Sequence, residues 1–161
     1  MNLSEQSKIW IFQSIRNFNG EELKSIETRL DAFMKEWNAH GDALTAAYAI
    51  PYDRFIVVAA DETIVPASGC SIDSLTRVIK AIEEEFELGL LNRMLVSYGI
   101  NDDIITLPLS EFKEKVRQNE IPAHASVFHN GVGTLAEFEE AWELPLSESW
   151  VSVLINPSPA Q

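Results

Sequence analysis

The sequence has little cysteine, little positive charge and no long apolar run. Its single cysteine, Cys70, cannot form a disulfide within the chain. No apolar stretch reaches the roughly 18 residues that a membrane-spanning helix needs. The first six residues also lack the basic and apolar regions of a secretory signal. We therefore expect a cytoplasmic protein with no membrane partner.

Positive charge is scarce, with twelve basic residues against twenty-five acidic ones and a formal net charge of −13. Such a chain is repelled by phosphate backbones and by anionic membrane surfaces. We therefore expect no nucleic-acid partner. The partners that the charge leaves open are another protein or further copies of the chain in a homo-oligomer.

Recognisable cofactor motifs are also missing. The three histidines, His40, His124 and His129, show no metal-ligand spacing with one another or with Cys70. No Gly-Lys pair exists from which a phosphate-binding P-loop could be built. We therefore predict no metal site and no other cofactor.

What the sequence does contain is the composition of a folded domain. Its 161 residues are 46% hydrophobic and 23% charged, which is typical of one globular domain. We predict that this domain covers residues 1–161, with frayed tails over residues 1–7 and 156–161.

The hydrophobic pattern of residues 8–107 predicts the order strand, helix, strand, strand, helix, strand. Residues 8–13 and 55–60 are continuous apolar runs, typical of strands buried on both faces, whereas residues 43–50 alternate. The two helices are predicted to begin at the caps Asn19 and Ser71, the first ending near His40-Gly41. This order predicts an α+β fold with a ferredoxin-like (split βαβ) sheet over residues 8–107, whose first and third strands are central.

The chain after residue 107 is predicted to add C-terminal helices and a strand. Ser110 and Thr134 are candidate helix caps, and residues 126–129 are a candidate strand. The apolar residues 151–155 predict a last strand.

One short segment combines a thiol with a predicted helix start. Ser68, Gly69 and Ser71 surround Cys70, and a helix N-terminus favours a thiolate and attracts anions. His40 is the best-placed candidate for a general base. We therefore take Cys70 and His40 as candidate catalytic residues; Ser68, Gly69, Ser71 and Arg54 are candidate anion ligands. The alternative is a purely structural role, in which Cys70 is a packed cysteine beside an ordinary serine cap and His40 is a surface residue at a helix end.

A second glycine motif covers residues 131–136 and formally matches the dinucleotide pattern G-x-G-x-x-A. A dinucleotide fold needs further βαβ units and an acidic residue about 20 residues on. The chain is nearly finished at this point, so we interpret the motif as a turn in which Thr134 caps a helix.

Several segments together resemble an uncharacterised family of short bacterial proteins that are often labelled ABC transporter ATPases. They are residues 8–11, 37–41, 54–56, 61–62 and 69–73. The resemblance covers about residues 8–150 and implies a bacterial cytoplasmic setting, but it transfers no activity. The missing P-loop argues against ATP hydrolysis of the transporter type.

Two functions from different classes follow from the residues. The first is a small, acidic, non-catalytic binding or interaction module, which the absence of a catalytic constellation favours. The alternative is a small enzyme, or an anion- or nucleotide-binding protein, that uses the Ser68–Ser71 loop with Cys70 as its reactive thiol.

Overall fold

The computed structural model describes residues 1–155 and has a mixed α+β architecture. Its contacts group the described residues into two compact units, residues 1–91 with 131–139, and residues 92–130 with 140–155. No helix in the described part of the chain is long and apolar enough to cross a membrane. That the whole chain forms one domain stays a prediction.

The first unit is built on a three-stranded antiparallel sheet in the order β1-β5-β4. These strands are Lys8–Gln13 (β1), Phe55–Asp61 (β5) and Thr45–Ala49 (β4). Residues 55–60 are completely buried, which confirms the prediction of a strand covered on both faces. Helices Gly20–Glu36 (α1) and Gly69–Phe86 (α2) pack on one face of the sheet through Ile26, Leu30 and Ile79.

A small hairpin joins α1 to the sheet. Its strands are Asn38–Ala39 (β2) and Asp42–Ala43 (β3), and its two-residue turn is His40-Gly41. The predicted end of the first helix at His40-Gly41 is therefore wrong, because the helix ends at Glu36 and the chain becomes extended at Trp37.

The second unit contains a four-stranded antiparallel sheet in the order β7-β6-β8-β9. Its strands are Leu95–Ile100 (β6), Asp103–Pro108 (β7), Ser126–Phe128 (β8) and Glu143–Pro145 (β9). Helix Leu109–Arg117 (α3) buries Phe112 against Tyr98, with 5.6 Å between the ring centroids. Helix Leu135–Ala141 (α4) precedes β9 in the sequence, and its residues 135–139 belong to the first unit.

The predicted fourth strand of the ferredoxin-like sheet lies in this second sheet. Within residues 1–155, β6 pairs with β7 and β8 and not with β1. The outer edge of β1 instead meets the chain at Thr134, which bridges to Lys8, and the Ile9 amide donates to the Gly133 carbonyl over 3.0 Å. The first strand is therefore not central, and the α+β class is confirmed without the specific ferredoxin-like sheet.

Both chain ends differ from the predicted pattern. The carbonyls of Glu5 and Ser7 accept hydrogen bonds from the Ala136 and Leu135 amides, and Ser7 is buried, so residues 5–7 are anchored rather than frayed. The predicted last strand over residues 151–155 is wrong, because Ser152–Leu154 forms a turn of 3₁₀ helix. The predicted tail, residues 156–161, lies outside the described residues.

Candidate functional site

A groove of about 470 Å³ lies in the first unit beside the start of α2. One wall comes from the end of α1 and the hairpin that follows it, and the other comes from the first three turns of α2. We call it the α1–α2 groove. Its lining residues are Phe33, Glu36, Trp37, Asn38, His40, Ser68, Cys70, Ser71, Ser74, Arg77, Val78 and Ala81.

Trp37 fixes the two walls to each other. Its side chain is buried, and its indole Nε1 donates a hydrogen bond to the Ser71 carbonyl over 2.8 Å. The rings of Phe33 and Trp10 pack against it, with centroid distances of 5.1 Å and 5.7 Å. Because each aromatic contact and this buried hydrogen bond restrain the same side chain, the apolar wall of the groove is pre-formed.

Helix α2 begins at Gly69, and its N-cap is Ser68 rather than the predicted Ser71. The Ser68 hydroxyl accepts from the Ser71 amide over 3.1 Å, and the Ser71 hydroxyl accepts from the Ser68 amide over 2.7 Å. This reciprocal capping box occupies both serine side chains. Among residues 1–155, the amides of Gly69 and Cys70 donate no backbone hydrogen bond, and of these two residues Cys70 lines the groove.

His40 enters the groove from the tip of the β2–β3 hairpin. His40 and Gly41 both have positive φ angles, 54° and 87°, as the two central residues of a type I′ turn do. The Gly41 amide also donates to Asn38 Oδ1 over 3.3 Å. His40 is therefore an exposed residue on a turn rather than at a helix end, because α1 ends at Glu36.

A smaller cavity of about 230 Å³ lies on the other side of the hairpin tip. His40 and Ser68 line both cavities, and the loop over residues 64–67 completes the smaller one. The Ala67 amide donates to Glu62 Oε1 over 2.9 Å, which holds this loop in place.

Cys70 and His40 are both exposed and line the same groove. Within the described chain, no hydrogen bond joins the thiol to the imidazole; the only side-chain contact at the Cys70 backbone is the Ser74 hydroxyl, which donates to its carbonyl over 3.0 Å. A nucleophile and its base need hydrogen-bond reach, although that reach is often looser without substrate. The structure thus brings the two residues to one groove without assembling a catalytic pair.

Two charged groove residues, Arg77 and Glu36, escaped the sequence prediction. Arg77 lies two helical turns after Cys70, and the groove side of α2 is the row 70, 74, 77, 78 and 81. This row has the spacing of one helix face. The signal was available in the sequence, but it required knowing that Cys70 lies inside the helix rather than before it.

Arg54 lies away from the groove. It is 7% exposed, and its guanidinium donates to Asn17 Oδ1 over 3.1 Å and to the Ile15 carbonyl over 2.8 Å. Burial lowers the pKa of Arg54. Its contacts hold the chain after β1 and do not reach the other candidate anion ligands.

The glycine motif over residues 131–136 forms a structural turn. The Gly133 amide donates to Glu137 Oε2 over 2.8 Å, and the Glu137 amide donates to Thr134 Oγ1 over 3.2 Å. These bonds cap α4, as predicted for a turn in which Thr134 caps a helix.

Among residues 1–155, no group of three or more His, Cys, Asp or Glu side chains is arranged to hold a metal ion. Comparisons with models of protein families, with curated proteins and with solved structures found no match.

Proposed function

We propose that this protein is a non-catalytic binding module whose ligand site is the α1–α2 groove. The observation that carries the proposal is the combination of a pre-formed aromatic wall and polar groups in one concavity of about 470 Å³. Small-molecule sites are typically concave, largely apolar and about 300–1,000 Å³ in volume, with a few polar groups that orient the ligand.

The polar groups of the groove favour an anionic ligand with an apolar part. Arg77 supplies a guanidinium, and the Cys70 amide supplies a donor at the positive end of the α2 dipole. Glu36 opposes this on the α1 side, so the anionic group is expected to lie nearer α2. Phe33, Trp37 and Val78 would contact the apolar part.

The first experiment is a thermal-shift series with phenyl phosphate and benzoate, and with benzyl alcohol as a neutral counterpart. A ligand at 100 times its dissociation constant adds about 2.7 kcal/mol to the free energy of unfolding, which is readily seen. We expect both anions to raise the melting temperature of the wild-type protein more than benzyl alcohol does.

A matched pair of variants locates the binding. Ser74 and Thr76 both lie on α2, and each hydroxyl donates to the carbonyl four residues earlier, but only Ser74 lines the groove. Ser74→Trp should fill the groove and abolish the shift, whereas Thr76→Trp should keep it. Equal shifts in the two variants would place the binding elsewhere.

Thiol chemistry at Cys70 is a second candidate, favoured by the exposure of Cys70 and His40 in one groove. It predicts that iodoacetamide alkylates Cys70 more slowly in a His40→Ala variant at neutral pH. An unchanged rate would show that His40 does not act as a base for this thiol.

The ferredoxin-like topology also stays a proposal for the first unit. Support comes from the neighbour order β1-β5-β4, in which the first, third and second predicted strands are adjacent, and from α1 and α2 on one face. The segment at Thr134 occupies the edge that a fourth strand would take.

A further inference from the structure

Strand β4, Thr45–Ala49, forms one edge of the first unit's sheet and carries none of the usual protection. It pairs with β5 in an unbroken register from Thr45↔Asp61 to Ala49↔Val57, so it contains no bulge. It also contains no charge and no proline. Natural edge strands are normally blocked by such features, because an open edge is a template for another strand.

The outer backbone groups of β4 remain available. In an antiparallel pair, every second residue turns its N–H and C=O away from its neighbour. Within the described chain, no backbone hydrogen bond from outside the sheet reaches residues 45–49.

The other described edges of this kind are covered or blocked. Thr134 bridges to Lys8 at the outer edge of β1. The second sheet has two edge strands: β9 contains Glu143 and Pro145, and β7 begins at Asp103 and ends at Pro108. The open state of β4 is therefore not a general feature of this molecule's sheets.

The side chains of β4 leave room for a neighbour on both faces. Ala46, Ala47 and Ala49 are small and only partly buried. Tyr48 is the single large residue, and its hydroxyl donates to Asp31 Oδ1 over 2.6 Å beside the Glu27 carbonyl. The exposed acidic residues Glu27 and Asp31 of α1 therefore lie beside this edge of the sheet.

The charge at this edge selects the partner. Asp31 takes part in no ion pair among residues 1–155, although Lys35 follows one helical turn later, so its carboxylate can still accept from a cation. The chain's net charge of −13 attracts basic partners and repels a second copy. Symmetric pairing of two β4 strands would also bring two α1 acidic faces together.

We propose that β4 docks an extended, basic segment of a partner protein, which adds to the sheet as a strand and places a lysine or arginine beside Asp31. Main-chain hydrogen bonds would supply affinity, and the contacts of alternate side chains would supply specificity, as in other strand-addition complexes. This surface is independent of the α1–α2 groove.

The probe is a capped peptide that alternates valine and lysine, titrated into ¹⁵N-labelled full chain. We expect amide shift changes centred on residues 45–49. A peptide methylated on alternate backbone nitrogens along one edge should bind at least about tenfold more weakly when that edge is the one facing β4, because it cannot donate to the strand. The comparison uses two peptides, one methylated along each edge. Equal binding of these two peptides would overturn strand addition.

A charge reversal tests the chemistry of the partner. Asp31→Lys should weaken the valine–lysine peptide about tenfold and improve binding of a valine–glutamate peptide. Glu21→Lys is the control, since it makes the same charge change on α1 about 15 Å away along the helix and should leave both affinities within about twofold. Shift changes away from β4, no binding at all, or a concentration-dependent dimer through β4 would each contradict the proposal.

Discussion

Glu22 shows how one side chain can organise the start of α1. Its carboxylate accepts from the Asn19 amide over 2.9 Å in a capping box and from both terminal nitrogens of Arg16 over 2.8 Å and 2.7 Å. The Arg16 hydrogen bonds, together with the Asn19 amide, hold the pKa of Glu22 below its usual range even though burial opposes them. A carboxylate with a lowered pKa stabilises the fold when it is ionised.

Glu22→Ala should therefore lower the free energy of unfolding by about 1–2 kcal/mol at pH 7. Because the folded pKa lies below the unfolded one, this contribution is present above the ordinary carboxyl pKa and is lost as the pH falls through the folded value. Urea unfolding at pH 7 and at pH 3 measures it. Glu21→Ala, an exposed neighbour, is the control, and an equal loss in both variants would contradict the assignment.

Gly41 is the residue on which the position of His40 depends. Its φ of 87° is a conformation that side-chain-bearing residues rarely adopt, whereas Gly69 lies in a regular helix with open space around it. We expect Gly41→Ala to cost about 1 kcal/mol of stability and Gly69→Ala to be neutral or slightly stabilising. Chemical denaturation of the two variants measures these changes. A Gly41→Ala protein as stable as the wild type would argue against the type I′ turn.

At the scale of elements, the end of α2 depends on a single carboxylate. Glu83 accepts from the amides of Leu88, Gly89 and Leu90, each over 3.0 Å, and so holds the turn that leaves the helix. Glu83→Ala should lower stability by about 1–3 kcal/mol, because it leaves partly buried amides without an acceptor. Glu84→Ala, one position along on the exposed face, should change it by less than about 0.5 kcal/mol. Thermal and urea unfolding measure the stability of both variants. Equal losses, or a larger loss in Glu84→Ala, would contradict this role of Glu83.

Helix periodicity located α1 and α2 but misplaced the ends that build the groove. Trp37 follows Phe33 by four residues, so the apolar pattern continues past the helix, while the chain has already become extended at Trp37. Ser68 and Ser71 are both cap-forming residues three positions apart, and the pattern alone does not say which is the cap. These two shifts hid Arg77 and misplaced His40.

Strand partners were harder to predict than the strands. The alternation and the continuous runs identified β1, β4 and β5 from local sequence. Strand β6 pairs with β8, which lies at residues 126–128, and no local sequence pattern predicts a pairing over that separation. The covered edge of β1 likewise depends on Thr134, far along the chain.

At the scale of the whole molecule, the net charge of −13 predicts a salt effect on stability. Raising sodium chloride from about 0.01 M to about 0.15 M shortens the Debye length from roughly 30 Å to 8 Å and screens self-repulsion. The melting temperature should therefore rise with salt at pH 7. The rise should largely disappear near pH 4.5, the isoelectric point. Equal rises at both pH values would point to a cause other than charge repulsion.

The two proposals place separate binding surfaces on the first unit, one at the groove and one at the open β4 edge. The sequence pattern predicts part of each surface: it singles out Cys70 and His40 for the groove, and its alternation predicts strand β4. What folding added was the juxtaposition of α1, the hairpin and α2 around Trp37.

The most direct test of the groove is a chemical-shift map of phenyl phosphate binding to the ¹⁵N-labelled protein, repeated on Ser74→Trp. The account predicts saturable shift changes at the amides of Gly69 and Cys70, at the Trp37 indole and at residues 38–41, all lost in the variant. Shift changes at other residues, or changes that persist in Ser74→Trp, would contradict it.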